Sequence, residues 1–450
     1  MSLNAVIATN RFGLGARPGE QAEAETDPKA WLLNQLKHKP PVSFDTSLPS
    51  SDEIAQRFGH YRQVQKRQKN QAVNIMANDE LEADKKFIRQ TFNDLYADTL
   101  NAAISSSQSL NWRLLDFFSN HFSVSGTNLL MRGLAGTLER EAIAPHLSGH
   151  FSDMLLAVTR HPAMLIYLNN ERSFGPSSRL GKKGKGLNEN LAREILELHT
   201  LGVNGGYSQR DVVELAKGIT GWSVANYSKN ETGGFIYRKA GHEPGERLLL
   251  GKRYPQKEVE QGKAMLVDIA RHPATAKHLC FKLVRHFISD TPPVVLVDKL
   301  VATWNQTEGD LSAVIATLIN AEESWQTQAQ KFKTPREFVI STYRAIGVDQ
   351  VPSKQLLQAL TILGQQPFRA GSPAGYSDEQ SDWNGSSALM SRIDWSSTLA
   401  ARAKTANAEH IMQGTLANSV SRVTYSTVLR AESRQQSLAL LLMSPEFQRR

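Results

Sequence analysis

The sequence predicts a mainly α protein, a large multi-helix domain with one small β-hairpin. Three observations carry this. Apolar residues recur at helical spacing from one end of the chain to the other. Helix start and stop signals punctuate them. Strand-like pattern is confined to one stretch, GGFIYRKAGHEPGERLLLGKRY. The 450 residues are 40% hydrophobic and 21% charged, with a mean hydropathy of -0.38. That is a globular composition, with length enough for a large core. No run of about 18 apolar residues occurs, so no membrane span is expected. The first residues lack a basic segment followed by an apolar one; no signal peptide is read, and a cytoplasmic location is expected. The one cysteine, Cys280, rules out an internal disulfide and a thiolate metal site, and fits a reducing compartment. The net charge is +8 and the pI about 9.4. The excess is spread along the chain, with no basic helix interleaved with aromatics, so no nucleic-acid partner is expected.

In chain order, NRFGLGARPGE marks turns, and Asp27 caps a helix that Pro40 and Pro41 end. Residues 53–80 read as a polar helix whose charge run is a solvated face. Helical pattern resumes from Phe87 to Ser105. Trp112, Leu115, Phe118 and Phe122 then form a core stripe on a helix ending near Val124, with His121 at its end. Pro145 starts a further helix, and His146, His150 and Asp153 share a face there at metal-like spacing. Residues 174–187 form a basic, glycine-rich loop. Its glycines let backbone N–H groups converge, Lys182, Lys183 and Lys185 add charge, and a helix N-terminus follows, which together make an anion cradle or a basic lid.

The helix after that loop, residues 188–201, carries the densest set of functional groups. Asn188 or Asn190 caps it, Leu191, Ile195 and Leu198 stripe it, and Gly202 fits the left-handed residue beyond its end. Glu194 and Glu197 lie about 60° apart around an ideal helix, with Asn190 on the same face. His199 is about 140° from Glu194 in that geometry and joins the carboxylates only if the last turn distorts. Two carboxylates on one face can bind a divalent metal, act as an acid/base pair, or clamp arginines such as Arg193 and Arg285. Ser208 and Asp211 make a capping box for the next helix. Residues 234–252 read as the hairpin, Phe235–Tyr237 and 247–250 being its strands and His242 lying in the connecting loop. Helices follow from Gln256 onward, including the basic one with Lys282, Arg285 and His286. The Gly/Pro/Ser stretch 365–383 is a long loop, and a loop of that length in a compact domain is functional or disordered; Phe368, Tyr376 and Trp383 favour an ordered one. No internal repeat or linker divides the chain, so 1–450 reads as a single domain.

Several strings in this order, NRFGLGARPGE, FFSNHFSVS, RHPAMLIYLNN, NENLAREILELHTLGVNGGYSQRDVVELAKGITGW, RHPATAKHLCFKLVRHF, TPREFV, SPAGYSD and SPEFQ, resemble the bacterial family of unknown function DUF1800 over nearly the whole chain. The resemblance implies one helix-rich unit and no established reaction. It implies a partner, an alkaline-phosphatase-like protein encoded nearby, and export for many relatives. Two functions are therefore carried forward. One is a metal-dependent or acid/base enzyme, hydrolytic or group-transferring, with Glu194, Glu197, His199 and His121 catalytic. In it Glu194, Glu197 and His121 hold a divalent metal, and Asn188, Asn190, Lys183, Lys185, Arg193 and His242 bind the ligand. The other is a non-catalytic helical scaffold or partner.

Overall fold

Start signals in the sequence become helix starts in the computed structural model, which describes residues 2–69, 75–229 and 231–450. Asp27, Asn128, Ser208, Asp310 and Thr334 each accept a hydrogen bond from the first turn of the helix that follows. At Ser208 and Thr334 the bond is returned by Asp211 and Glu337, completing two capping boxes. The structure is 63% helical, in 22 α-helices and shorter 3-10 and π turns among the described residues.

The long helix Ile75–Ser105 packs against Ser51–Lys69 and Leu129–Leu138. Small residues make this possible. A Cβ on Gly133 would lie 2.4 Å from the Ile54 side chain, closer than packed carbon atoms allow. The polar stretch 53–80 is helical on both sides of a short gap in the described residues. Its first part ends at Lys69, the next described helix begins at Ile75, and positions 70–74 lie outside the described residues.

Two helices are buried almost all round. Ser109–His121 keeps Leu110, Leu114, Leu115, Phe117 and Phe118 inside together with Asn111, Arg113 and His121. Pro335–Ile346 buries every residue from Pro335 to Ala345, and Gly347 stops it at a φ of 78°. Around them, Pro273–Phe287 packs on Val294–Gln306, which packs on Leu311–Asn320, and Ser386–Arg402 packs on Arg434–Met443. Cys280 is fully buried in the middle of Pro273–Phe287. One hydrophobic cluster runs through all of this, from Ile7 to Phe447. Each large aliphatic side chain in it contributes roughly 1.5–3 kcal/mol.

The β structure among the described residues is two separate antiparallel pairs. Phe235–Tyr237 pairs with Trp222–Val224, and Arg247–Leu249 pairs with Lys252–Tyr254. The expected pairing of 235–237 with 247–250 is not made. Leu250 and Gly251, at φ of 49° and 78°, close a tight turn immediately after the third strand, so that strand turns back on its own continuation. No helix of the described residues is long and apolar enough to cross a membrane.

Candidate functional site

The helix singled out by sequence is short and ends abnormally. Asn190–Glu194 is α-helical, Ile195–His199 is a π-turn, and Thr200 Oγ1 donates to the Ile195 carbonyl at 2.5 Å. The last turn does distort, yet it takes His199 into the core, 1% exposed, while Glu194 and Glu197 stay half-buried at the surface. Tyr167 and Tyr207 stand near the carboxylates. Burial, then Glu197, raises the Glu194 pKa, and Arg193 opposes the shift. Arg193 itself donates to Glu189 and Gln209, at 3.1 and 3.0 Å. It clamps neither of the two expected glutamates.

His199 meets His121, but the company is cationic. A helix end leaves its last carbonyls without N–H partners, and two imidazoles donate into this one. His121 Nε2 reaches the His199 carbonyl at 3.1 Å, and His278 Nε2 reaches the Leu198 carbonyl at 3.2 Å. That fixes His121 as the Nε2–H tautomer, leaving Nδ1 to accept from Lys282 Nζ at 2.9 Å. Gly202, at a φ of 82°, is required beside them, since a Cβ there would lie 2.8 Å from His278 Nδ1. Burial and the Lys282 charge hold all three rings neutral. His199 falls to about 3, His278 to about 4, and His121 well below its ordinary value. Burial lowers Lys282 to about 8, with Asp378 pulling the other way. Both His121 nitrogens are engaged and an ammonium faces one of them, so His121 is not disposed as a metal ligand with Glu194 and Glu197. Among the described residues no three His, Cys, Asp or Glu side chains converge as a metal site. His146, His150 and Asp153 are included in that statement.

The other expected ligand residues are scattered. Asn188 Oδ1 accepts from the Asn190 backbone at 2.9 Å, a local turn, and Asn190 is exposed. In the 174–187 loop most of the backbone amides are already used, those of Arg179, Lys185, Gly186 and Leu187 excepted. Gly175 and Leu180 donate to Gly241 and Ala240, and those of Lys182, Lys183 and Gly184 stay within the loop. The glycine-rich half, Gly175 to Gly184, is thus held by these bonds. Lys183 is exposed, and Lys185 lies over the Phe174 ring at 4.5 Å, on the wall of an open cleft of about 780 Å³ shared with Arg62, Arg172 and Arg238. His242 is buried, with Nδ1 donating to the Thr220 carbonyl at 3.0 Å and Nε2 without a partner.

A second polar centre adjoins the histidines through the same two helices. Beneath the 365–383 loop lies a small cavity of about 70 Å³ whose lining includes Asp116, Glu139, His286, Arg336, Tyr376 and Asp378. The loop is ordered over it. Asn120 Nδ2 donates to the Tyr376 carbonyl and Asn120 Oδ1 accepts from the Tyr376 N–H, both at 2.8 Å. Tyr376 Oη donates to the Gln366 carbonyl at 2.6 Å, and Trp383 Nε1 to the Ser377 carbonyl at 2.9 Å. His286 Nδ1 lies 3.1 Å from each oxygen of Asp378, while its Nε2 is buried without a partner. Burial alone pushes Asp378 up, but His286 and Lys331 hold it well below the usual carboxylate range. Glu139 is shifted oppositely. Burial raises its pKa, Asp116 adds to this, and Oε2 has no hydrogen-bond partner. Arg336 Nε pairs with Asp116 at 2.7 Å.

Lys282, His278, His286 and Asp378 complete these centres and were not among the expected site residues. One signal was available. His278, Lys282 and His286 are spaced four apart, which puts them on one face of one helix. The family described as "Protein of unknown function (DUF1800)" matches residues 7–449. No curated protein and no solved structure matches the chain. With its match spanning nearly every element described above, the chain belongs to the DUF1800 family.

Proposed function

We propose that the protein is an acid/base enzyme of hydrolytic or group-transfer type, with its reacting groups in the cavity beneath the 365–383 loop. One observation carries this reading. A buried His286, backed by Asp378 and with an unpartnered Nε2, lines the same small cavity as Glu139, a carboxyl that burial pushes toward its protonated form. An imidazole oriented by a carboxylate and a carboxyl held toward its protonated form can act as base and acid. In this reading His286 Nε2 takes a proton from water or a hydroxyl, Asp378 holds the ring and stabilises the imidazolium, and Glu139 delivers a proton to the leaving group. At about 70 Å³ the cavity holds only a few waters, so in this reading the 365–383 loop lifts as a lid to admit substrate. His121, His199 and Lys282 set the potential behind it. The Glu194–Glu197 pair is kept as a secondary acid/base candidate, because burial and mutual repulsion raise Glu194. A cytoplasmic location belongs to the same reading and rests on the lone buried thiol.

The test is hydrolysis of a panel of p-nitrophenyl carboxylate and phosphate esters by wild type, His286→Asn, Glu139→Gln and Glu194→Gln/Glu197→Gln. Activity lost in the first two variants, both folded by circular dichroism, and kept in the third supports the cavity. Full activity in a folded His286→Asn protein refutes it.

A second reading, a non-catalytic helical partner of an alkaline-phosphatase-like protein, draws on exposed apolar side chains. Ile362, Met390 and Ile393 are 46%, 57% and 42% exposed on the packed helices Ser353–Ile362 and Ser386–Arg402. Apolar surface of that kind marks protein contacts when it is contiguous. Co-purification of such a partner, lost in Met390→Asp/Ile393→Asp, would favour it.

A further inference from the structure

Away from both centres, the N-terminal helix Leu3–Ile7 and the segments 327–329, 416–419 and 445–450 line a partly open cavity of about 310 Å³. That volume is at the lower end of the range for small-molecule sites. Leu3, Val6, Ile7, Leu416 and Pro445 give it apolar walls, and Arg11 lies in its lining.

Arg11 is the unusual group. It is 2% exposed, and its Nη atoms donate only to carbonyls, those of Ser324, Gln326 and Gln328 at 2.6, 2.7 and 3.1 Å. Its Nε has no partner, and among the described residues no carboxylate pairs with it. The nearby charges do not help. Arg450, also in the lining, pairs with Glu337 at 2.8 Å, and Glu337 already takes Arg113. The carboxylate in the lining, Glu446, accepts from the Ser421 N–H and Thr424 Oγ1, at 2.9 Å each. Burial first, and then Arg450, makes the Arg11 charge costly enough to lower its pKa to about 10. A buried guanidinium without a counter-charge is unfavourable unless an anion completes it.

We infer that this cavity binds an amphiphilic monoanion, an apolar tail along the Leu3–Ile7 helix with a carboxylate-type head toward Arg11. The apolar walls account for the tail and the unmatched guanidinium for the head. Three of the five guanidinium N–H groups of Arg11 are taken by carbonyls, leaving Nε–H and one Nη1–H, and with the Glu446 carboxylate in the same lining a singly charged head suits the site better than a dianion.

The experiment is isothermal titration of the full chain with decanoate, with decan-1-ol (similar tail, neutral head) and with acetate (head, no tail). Wild type, Arg11→Met and Ala329→Phe are compared, the last substitution filling the cavity from its rim. Decanoate should bind with one-to-one stoichiometry, at least tenfold more tightly than decan-1-ol, and acetate should give no saturable heat. Arg11→Met should lose that tenfold preference, and Ala329→Phe should lose both tailed ligands. Equal affinity for decanoate and decan-1-ol in wild type, or no saturable decanoate binding, would overturn the inference. So would decanoate affinity unchanged in a folded Ala329→Phe protein, which decides the matter even if Arg11→Met does not fold. None of these outcomes depends on the loop-covered cavity or its ester chemistry.

Discussion

Around Lys282 three imidazoles are held neutral, and a stability profile follows from which state gains protons. In the unfolded chain a histidine titrates near its ordinary 6.5, whereas His199 and His278 are lowered to about 3 and 4 by burial and by Lys282. Unfolding therefore takes up protons below pH 6.5, and stability present above that value is lost as the pH falls toward 4. At pH 5 the loss is about 2 kcal/mol for each such histidine. A His199→Phe variant should lose that much less than wild type between pH 7 and pH 5, measured by urea midpoints. Equal losses in the two proteins would refute the assignment. Lys282 acts in the alkaline range, because its folded value is about 8 against an ordinary 10.5. Its penalty is constant below pH 8 and is relieved as the pH rises from 8 to 10.5. His121 and His199 were legible in the sequence as candidates. Their meeting was not, because the carbonyls that orient His121 and His278 become free only where the π-turn ends the helix. The carboxylates Glu194 and Glu197 were legible for the same reason of residue type, but helix geometry turned them away from the histidines.

Among the elements, the 365–383 loop is held by one close approach. Gly375 has a φ of 82°, and a Cβ there would lie 2.4 Å from the Asn120 carbonyl oxygen. Gly375→Ala adds about 1–2 kcal/mol for the left-handed backbone, and the clash with backbone adds more. The loop should lift, and trypsin should cut after the exposed Arg369 several-fold faster than in wild type. An unchanged cleavage rate would show that the loop is held elsewhere. The loop's length left it functional or disordered and its aromatics favoured order; the Asn120 bonds to Tyr376 are what order it. Local signals of this kind read well, as the capping box at Ser208 and Asp211 did. Strand partners read poorly. Apolar residues and turn signals mark strands at 235–237 and 247–249, but pairing depends on where the chain turns, and Leu250–Gly251 turns it earlier than expected.

For the whole molecule, the fold class was plain from periodicity, whereas the charges that join distant segments left no pattern in sequence. Arg344 is fully buried. It donates to the carbonyls of Gly15, Ala103, Ile104 and Ser106, and to both oxygens of Glu20 at 2.8 and 2.7 Å. One guanidinium thus ties the N-terminal turns, the end of the Ile75–Ser105 helix and the Pro335–Ile346 helix together. Glu20→Gln leaves that charge buried without its counter-ion, and the expected cost is about 3–5 kcal/mol. A chemical-denaturation midpoint within experimental scatter of wild type would contradict this.

Cys280 is fully shielded, burial pushes its thiol pKa far up, and no other sulfhydryl exists in the sequence. A maleimide added to the native protein therefore finds nothing to modify until the Pro273–Phe287 helix comes away from its neighbours. The chain carries its own clock for opening. The rate at which one sulfur becomes labelled, followed by intact mass, reports how often the centre of the molecule is breached, without any dye or engineered probe.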